Sequence, residues 1–405
     1  MWCLPACAAA AIWIGAAQPA QAPAPPETRA DALRREREAK NGRLSPHDPN
    51  PLEQALTMAE RQIVPFLQRD GFYGKFGSLS TGSGFAYGGG FRDRSLVAGR
   101  GEVDVWAAGS IKKYWALDFT GRYPLARGDR VGLFWHARKF AYTEEEFTGI
   151  GPDSARADRT AYSLRGTDVG LGARVRLTGP FAYGGGLDVQ RPALGAGGGT
   201  RWPSIETVFD DGSAPGLAGV PRFVRTWAFA EVDYRRPLNA RRGGYYRVDV
   251  SRVRDSGGGA YAFSRVDIDL RQYVSFLAER RVLAARLVGS TTEADAGARV
   301  PFFLLPALGG NDTLRGFRAL RFRGPHRLLL QAEYRWEVWS GLEAALFTDW
   351  GKVALRRSDL SFRDLERDYG FGFRFNTDTG VVVRVDAAFG SRDGRHLHIV
   401  FGGFF

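Results

Sequence analysis

From Leu330 to Val338 the chain alternates without a break: Leu330, Ala332, Tyr334, Trp336 and Val338 take one face, and Gln331, Glu333, Arg335 and Glu337 the other. Successive side chains of a strand point to opposite faces, so this stretch predicts a strand with one apolar, aromatic face and one polar, charged face. In a soluble sandwich the charged face would meet water; in a transmembrane barrel the apolar face meets lipid and the charged face lines the lumen. The rest of the chain repeats the plan. Strands are predicted at 72–79, 82–93, 98–109, 112–123, 129–141, 161–177, 180–191, 224–236, 243–254, 261–275, 280–291, 327–338, 342–353, 366–377, 380–390 and 395–405.

That makes about sixteen strands, an even number. The connections between them sort by parity. Those at Pro124–Gly128, Thr178–Gly179, Pro237–Arg242, Ser340–Gly341 and Asp378–Thr379 are tight, whereas those at Thr143–Thr160, Pro192–Phe223, Thr292–His326 and Ala354–Leu365 are long. Outer-membrane barrels have short periplasmic turns and longer outside loops, and a sandwich or propeller has no reason to segregate loop length this way. The predicted fold is therefore all-β: a transmembrane antiparallel β-barrel of about 16 strands over 72–405 with a short N-terminal extension. Both termini fall on the periplasmic side.

Composition agrees. The 405 residues include 52 glycines, 13% aromatics and 25% charged residues, and past the N-terminus no apolar run reaches ~18 residues, which excludes a helical membrane protein. The net charge of +12 would raise nucleic-acid binding in a soluble protein. Here the signs interleave at inward positions: Arg265, Asp267, Asp269 and Arg271, then Arg247 with Asp249, then Arg384 with Asp386. This suggests a paired, wet lumen and no nucleic-acid partner.

Residues 1–22 contain an apolar stretch ending in Ala20-Gln21-Ala22, a small-residue cleavage pattern, and are read as a signal peptide. Residues 23–71 are rich in proline and charge and are read as a periplasmic linker with a short helix at Pro51–Val64. Both cysteines, Cys3 and Cys7, precede the cleavage point, so no disulfide or thiolate metal site is expected in the mature protein.

Two linked motifs bring a family into view. Leu314-Arg315-Gly316-Phe317, preceded by Gly309-Gly310, is followed about a strand later by Phe347-Thr348-Asp349-Trp350-Gly351. Together with the strand plan this resembles the barrel of the BamA/TamA superfamily, also called the bacterial surface antigen family, in a form lacking the periplasmic POTRA modules. The resemblance implies that the arginine motif sits on an outside loop folded into the lumen. It implies that Arg315 meets acidic wall partners, for which Glu333 and Asp349 stand at inward positions, with Phe347 and Gly351 completing the wall motif. Ile399, Phe401 and Phe405 share one face of the last strand and look like the C-terminal signal read by the outer-membrane assembly machinery.

Catalytic chemistry is not expected. There is no G-x-S-x-G elbow, phosphate-binding P-loop or H-E-x-x-H, and His396 and His398, sharing a strand face, lack a third ligand. No enzyme, cofactor or metal is predicted. The resemblance implies a role in outer-membrane protein or lipid assembly or translocation, with the outer-membrane bilayer, the assembly machinery and a client protein or lipid as partners; the alternatives are a passive diffusion channel and a structural surface barrel.

Overall fold

The computed structural model describes residues 29, 33–36, 38, 39 and 70–401, except 127, 129, 200, 236–239, 340, 378 and 379. The expected signal peptide, the helix at 51–64, the turn at 378–379 and Phe405 lie outside the described residues. Residues 33–36 are helical. From Gly71 onward the chain is one antiparallel sheet of sixteen strands in sequence order. They are β1 (Gly71–Gly77), β2 (Ala86–Ser95), β3 (Gly101–Ser110), β4 (Trp115–Pro124), β5 (Val131–Phe147), β6 (Thr160–Arg176), β7 (Phe181–Ala196) and β8 (Phe223–Asp233). The sheet continues through β9 (Gly243–Asp255), β10 (Phe263–Phe276), β11 (Arg281–Ala294), β14 (His326–Trp339), β15 (Leu342–Ala354), β16 (Glu366–Thr377), β17 (Gly380–Ser391) and β18 (Gly394–Phe401). Two short strands, β12 (Ala307–Leu308) and β13 (Phe322–Arg323), pair with each other inside the long β11–β14 connection. These two were not legible in the sequence.

The sheet curls into a nearly closed barrel whose first and last strands meet where Gly77 lies against Phe401. Period-two alternation sets the two faces. On β14, Gln331, Glu333 and Arg335 are buried inside while Tyr334 and Trp336 point outward. Phe371 on β16, Leu346 on β15, Leu171 on β6 and Leu187 on β7 are each about half exposed, so the outside carries an apolar band. A soluble protein rarely leaves so continuous an apolar surface in water. Among the described residues no helix is long and apolar enough to cross a membrane, so any crossing is by strands.

The long loops at one end pack into a cap. Phe302 of the 295–325 connection is fully buried against Phe147 and Tyr162, with ring centroids 4.8 and 4.9 Å away, and the cluster takes in Ile205 and Ala214 of the β7–β8 loop. Backbone bonds join the same loops: Gly151 N–H donates to the Arg323 carbonyl at 2.7 Å and Phe302 N–H to the Pro215 carbonyl at 2.9 Å. This cap holds the neck of the arginine-bearing loop, β12 with β13, above the lumen.

Candidate functional site

The tip of the 295–325 connection turns back on itself inside the barrel. Gly309 and Gly310 both have positive φ, and a side chain on Gly309 would overlap the Arg318 carbonyl, so the turn requires glycine there. Gly310 N–H is shared between the carbonyls of Leu314 and Phe317, and Gly309 N–H donates to Thr313 Oγ1 at 2.8 Å. Leu314 and Phe317 project from opposite sides of Arg315-Gly316 into one apolar cluster with Leu308, Phe322 and the inward Val288, Leu329 and Val353. Burying an apolar side chain of this size is worth about 1.5–3 kcal/mol, so these anchors seat the loop against the wall before any charge is counted.

Between them Arg315 has no exposed surface. Its Nε and Nη2 donate to Asp349 Oδ2 and Oδ1, both at 2.8 Å, a bidentate fork. Nη1 donates to Glu333 Oε2 at 2.9 Å and reaches Asp386 Oδ2 at 3.4 Å, and the backbone N–H of Arg315 donates to Asp349 Oδ2 at 3.2 Å. The guanidinium carbon lies 3.5 Å from the centre of the Phe347 ring.

The spacing of the wall motif now has a physical reason. Phe347, Asp349 and Gly351 are alternate residues of β15 and all face the lumen: the first stacks under the guanidinium and the second takes the fork. The third leaves room for the loop, since a Cβ on Gly351 would stand 3.0 Å from Leu308 Cδ1 and 3.5 Å from Leu314 Cδ2. Gly316 is equally constrained, because a Cβ there would lie 2.4 Å from the Cβ of Asp368, the residue paired with Asp349 across the β15–β16 ladder.

The structure brings Arg315 together with Glu333 and Asp349, and adds residues that sequence reasoning did not assign to the site. Glu333 Oε1 accepts from Arg335 Nε at 2.7 Å and Arg374 Nε at 3.1 Å, Arg374 Nη1 donates to Asp386 Oδ1 at 2.6 Å, and Arg384 Nε lies 3.2 Å from Asp386 Oδ2. Gln331 Nε2 bridges Asp349 Oδ1 (3.1 Å) and the Thr313 carbonyl (2.8 Å). The last two strands hold the loop backbone: His398 Nε2 lies 2.7 Å from the Arg315 carbonyl, and Ser391 Oγ donates to the Gly316 carbonyl. A carbonyl only accepts, so His398 carries its proton on Nε2 in this contact. The inward registers of Arg384, Asp386 and His398 were visible in the sequence; their convergence on this loop was not. Ile399 faces outward, 57% exposed, and Phe401 stacks edge-on to Phe85 at the seam.

Residues 97–393 match the Omp85 superfamily domain. The chain belongs to the Omp85 superfamily. No curated protein matches it significantly. Among solved structures, this Omp85 barrel is similar to BamA from Haemophilus ducreyi lacking POTRA domains 1–3, at a TM-score of 0.59 and 11% identity over 94% of this chain and 82% of that one. It is also similar to CdiB from Acinetobacter baumannii (TM-score 0.51, 12% identity, 81% of this chain and 58% of that). CdiB from Escherichia coli is a third (TM-score 0.53, 14% identity, 81% of this chain and 61% of that). At these identities the likeness is one of fold, and the Omp85 barrel spans less than two thirds of either CdiB chain.

Proposed function

We propose that this Omp85 barrel lies in the bacterial outer membrane and helps to insert or translocate proteins or lipids there, without catalysing a covalent reaction. The observation that carries the reading is the fully buried Arg315 contact set, in which an outside loop is folded into the lumen and fastened to β14, β15, β17 and β18. Burying a guanidinium with its carboxylates is costly, and in this reading the network is retained because it selects one arrangement of loop and wall over others. A passive pore could use such a loop as a constriction, but it does not need the loop fastened to the last strands. A barrel that must hold its wall and last strands in one state until a client arrives does.

The functional test is depletion of the protein in its native cell, followed by quantification of outer-membrane proteins and lipids, with planar-bilayer conductance of the purified barrel as a second arm. A selective fall in one class of envelope component is expected, together with small, irregular conductance. An unchanged envelope with large steady openings, indifferent to deletion of residues 313–317, would establish a diffusion channel instead.

Orientation has its own test. Cysteines replacing Gly198 and Gly212 in the β7–β8 loop are expected to react with a membrane-impermeant thiol reagent on intact cells, and one replacing Thr178 in the β6–β7 turn is expected to react only after the membrane is opened. The opposite pattern would invert the barrel.

A further inference from the structure

Many lumenal arginines of the barrel are paired with carboxylates, as Arg247 with Glu231 and Asp249 and Arg286 with Asp269 show. A group of cations on the outside is treated differently. Lys139 on β5 and Arg191 on β7 stand directly opposite Thr167 of β6 on its two sides, and Arg165 lies two residues further along β6 on the same face. Their register is outward, because the intervening Arg138 and Asp168 bond inside the barrel, to Tyr142 and to Gln190. All three cations are exposed, and among the described residues none has a carboxylate partner or a side-chain hydrogen bond. Exposed Arg222 and Arg254, on the same rim beside β8 and on β9, extend the row.

Strands lie about 4.8 Å apart, so Lys139 and Arg191 are roughly 10 Å apart, within reach of one anion for two long side chains. Like charges at neighbouring positions on one face repel. With no acid beside them, the trio is destabilising unless an anion from outside the chain sits among them.

The position says what carries that anion. On β5 the outward residues from the periplasmic end are Val131, Leu133, Trp135 and Ala137, and then Lys139. At about 3.4 Å per residue and a tilt near 40°, Lys139 stands about 20 Å above Val131, close to the upper edge of an apolar band about 25 Å tall. Beneath the trio lie Val169, Leu171, Leu187 and Leu117, each 46–57% exposed. Cations above and aliphatic side chains below match a phosphate headgroup above acyl chains.

Resting on the membrane-spanning reading above, we propose that Lys139, Arg165 and Arg191, around Thr167, form a docking site for the phosphate group of an anionic lipid in the leaflet on the long-loop side. The lipid's acyl chains lie along Val169, Leu171 and Leu187.

The test reconstitutes the whole protein in nanodiscs of phosphatidylcholine containing a minor fraction of phosphatidylglycerol, then counts co-purifying lipids by native mass spectrometry. The wild type is expected to retain phosphatidylglycerol above its bulk fraction, and Arg165→Gln/Arg191→Gln to lose that preference by roughly twenty- to thirtyfold, each cation near an anionic lipid being worth about fivefold. Arg176→Gln, at the periplasmic end of β6, is expected to leave it unchanged. Equal retention by the double variant and the wild type would overturn the site. Displacement of the lipid by millimolar inorganic phosphate would make it a free-anion site and overturn the lipid assignment. Failure to enter nanodiscs at all would overturn the membrane reading, a separate result.

Discussion

Replacing Arg315 by alanine is expected to cost about 3–5 kcal/mol of barrel stability, the range for removing one member of a buried charge network, against ~0–1 kcal/mol for an exposed pair. Glu333 keeps Arg335 and Arg374, and Asp386 keeps Arg374 and Arg384. Asp349 loses the fork and, among the described residues, keeps the amide of Gln331 and the backbone N–H of residue 315, with Asp368 across the ladder. The measurable results are faster proteolysis within residues 295–325 and a lower temperature for loss of the compact barrel band on gels. Asp349→Ala alone is expected to act in the same direction. The double variant Arg315→Ala/Asp349→Ala is expected to be no worse than Arg315→Ala, because removing the orphaned carboxylate relieves the penalty that the first change created. Arg315→Lys should not rescue, since a point charge cannot serve Asp349 with a fork while reaching Glu333 and Asp386. Fully additive losses, or an unchanged proteolysis pattern in Arg315→Ala, would remove the loop network from the account of function.

Placing an arginine on the outer face is expected to be nearly as costly. Leu346 points outward midway along β15, between Tyr334 of β14 and Phe371 of β16, and is 51% exposed to what the barrel reading makes lipid. Leu346→Arg is expected to cost about 2–4 kcal/mol when unfolding is measured in bilayers, because the charge must stay solvated near the hydrocarbon midplane. Thr120→Arg provides the inward comparison. Thr120 faces the lumen on β4 and is partly exposed, opposite Asp104 of β3, which already takes Arg92 and Tyr73, so a guanidinium there shares a carboxylate and stays solvated, and a cost of about 1 kcal/mol or less is expected. Equal costs at the two sites would mean that the outer face does not meet lipid.

Alternation names the lumenal face of a strand but not how tightly a residue on that face is packed. Gln331 is an inward residue by alternation and looks tolerant of change in the sequence. In the structure it is buried, bridging the loop to Asp349 and lying 3.3 Å from Arg286 Nη1, so a new cation there would join an already crowded group. Inward on this barrel means two environments, partly exposed near Asp118 and Thr120 of β4 and packed near β14 and β15, and alternation alone cannot separate them.

Much of the architecture was nevertheless readable from the chain. A two-residue period is a local property, so each strand announces its faces within ten residues, and the parity of loop lengths orders the strands without any knowledge of contacts. Sixteen strands, the position of the arginine loop after the eleventh, and the lumenal registers of Glu333, Asp349 and Asp386 all follow from that. The spacing Phe347, Asp349, Gly351 is likewise legible as three residues on one face. What only the tertiary structure decided is which inward groups meet. Arg315 reaches Asp386, 71 positions away, and its carbonyl meets His398, 83 positions away, because the sheet curls and the loop descends into the space so enclosed. The capping cluster around Phe302 and the outward trio around Thr167 have the same origin: each joins side chains from three or more segments, and their meeting depends on strand stagger and curvature, which no local period of the sequence encodes.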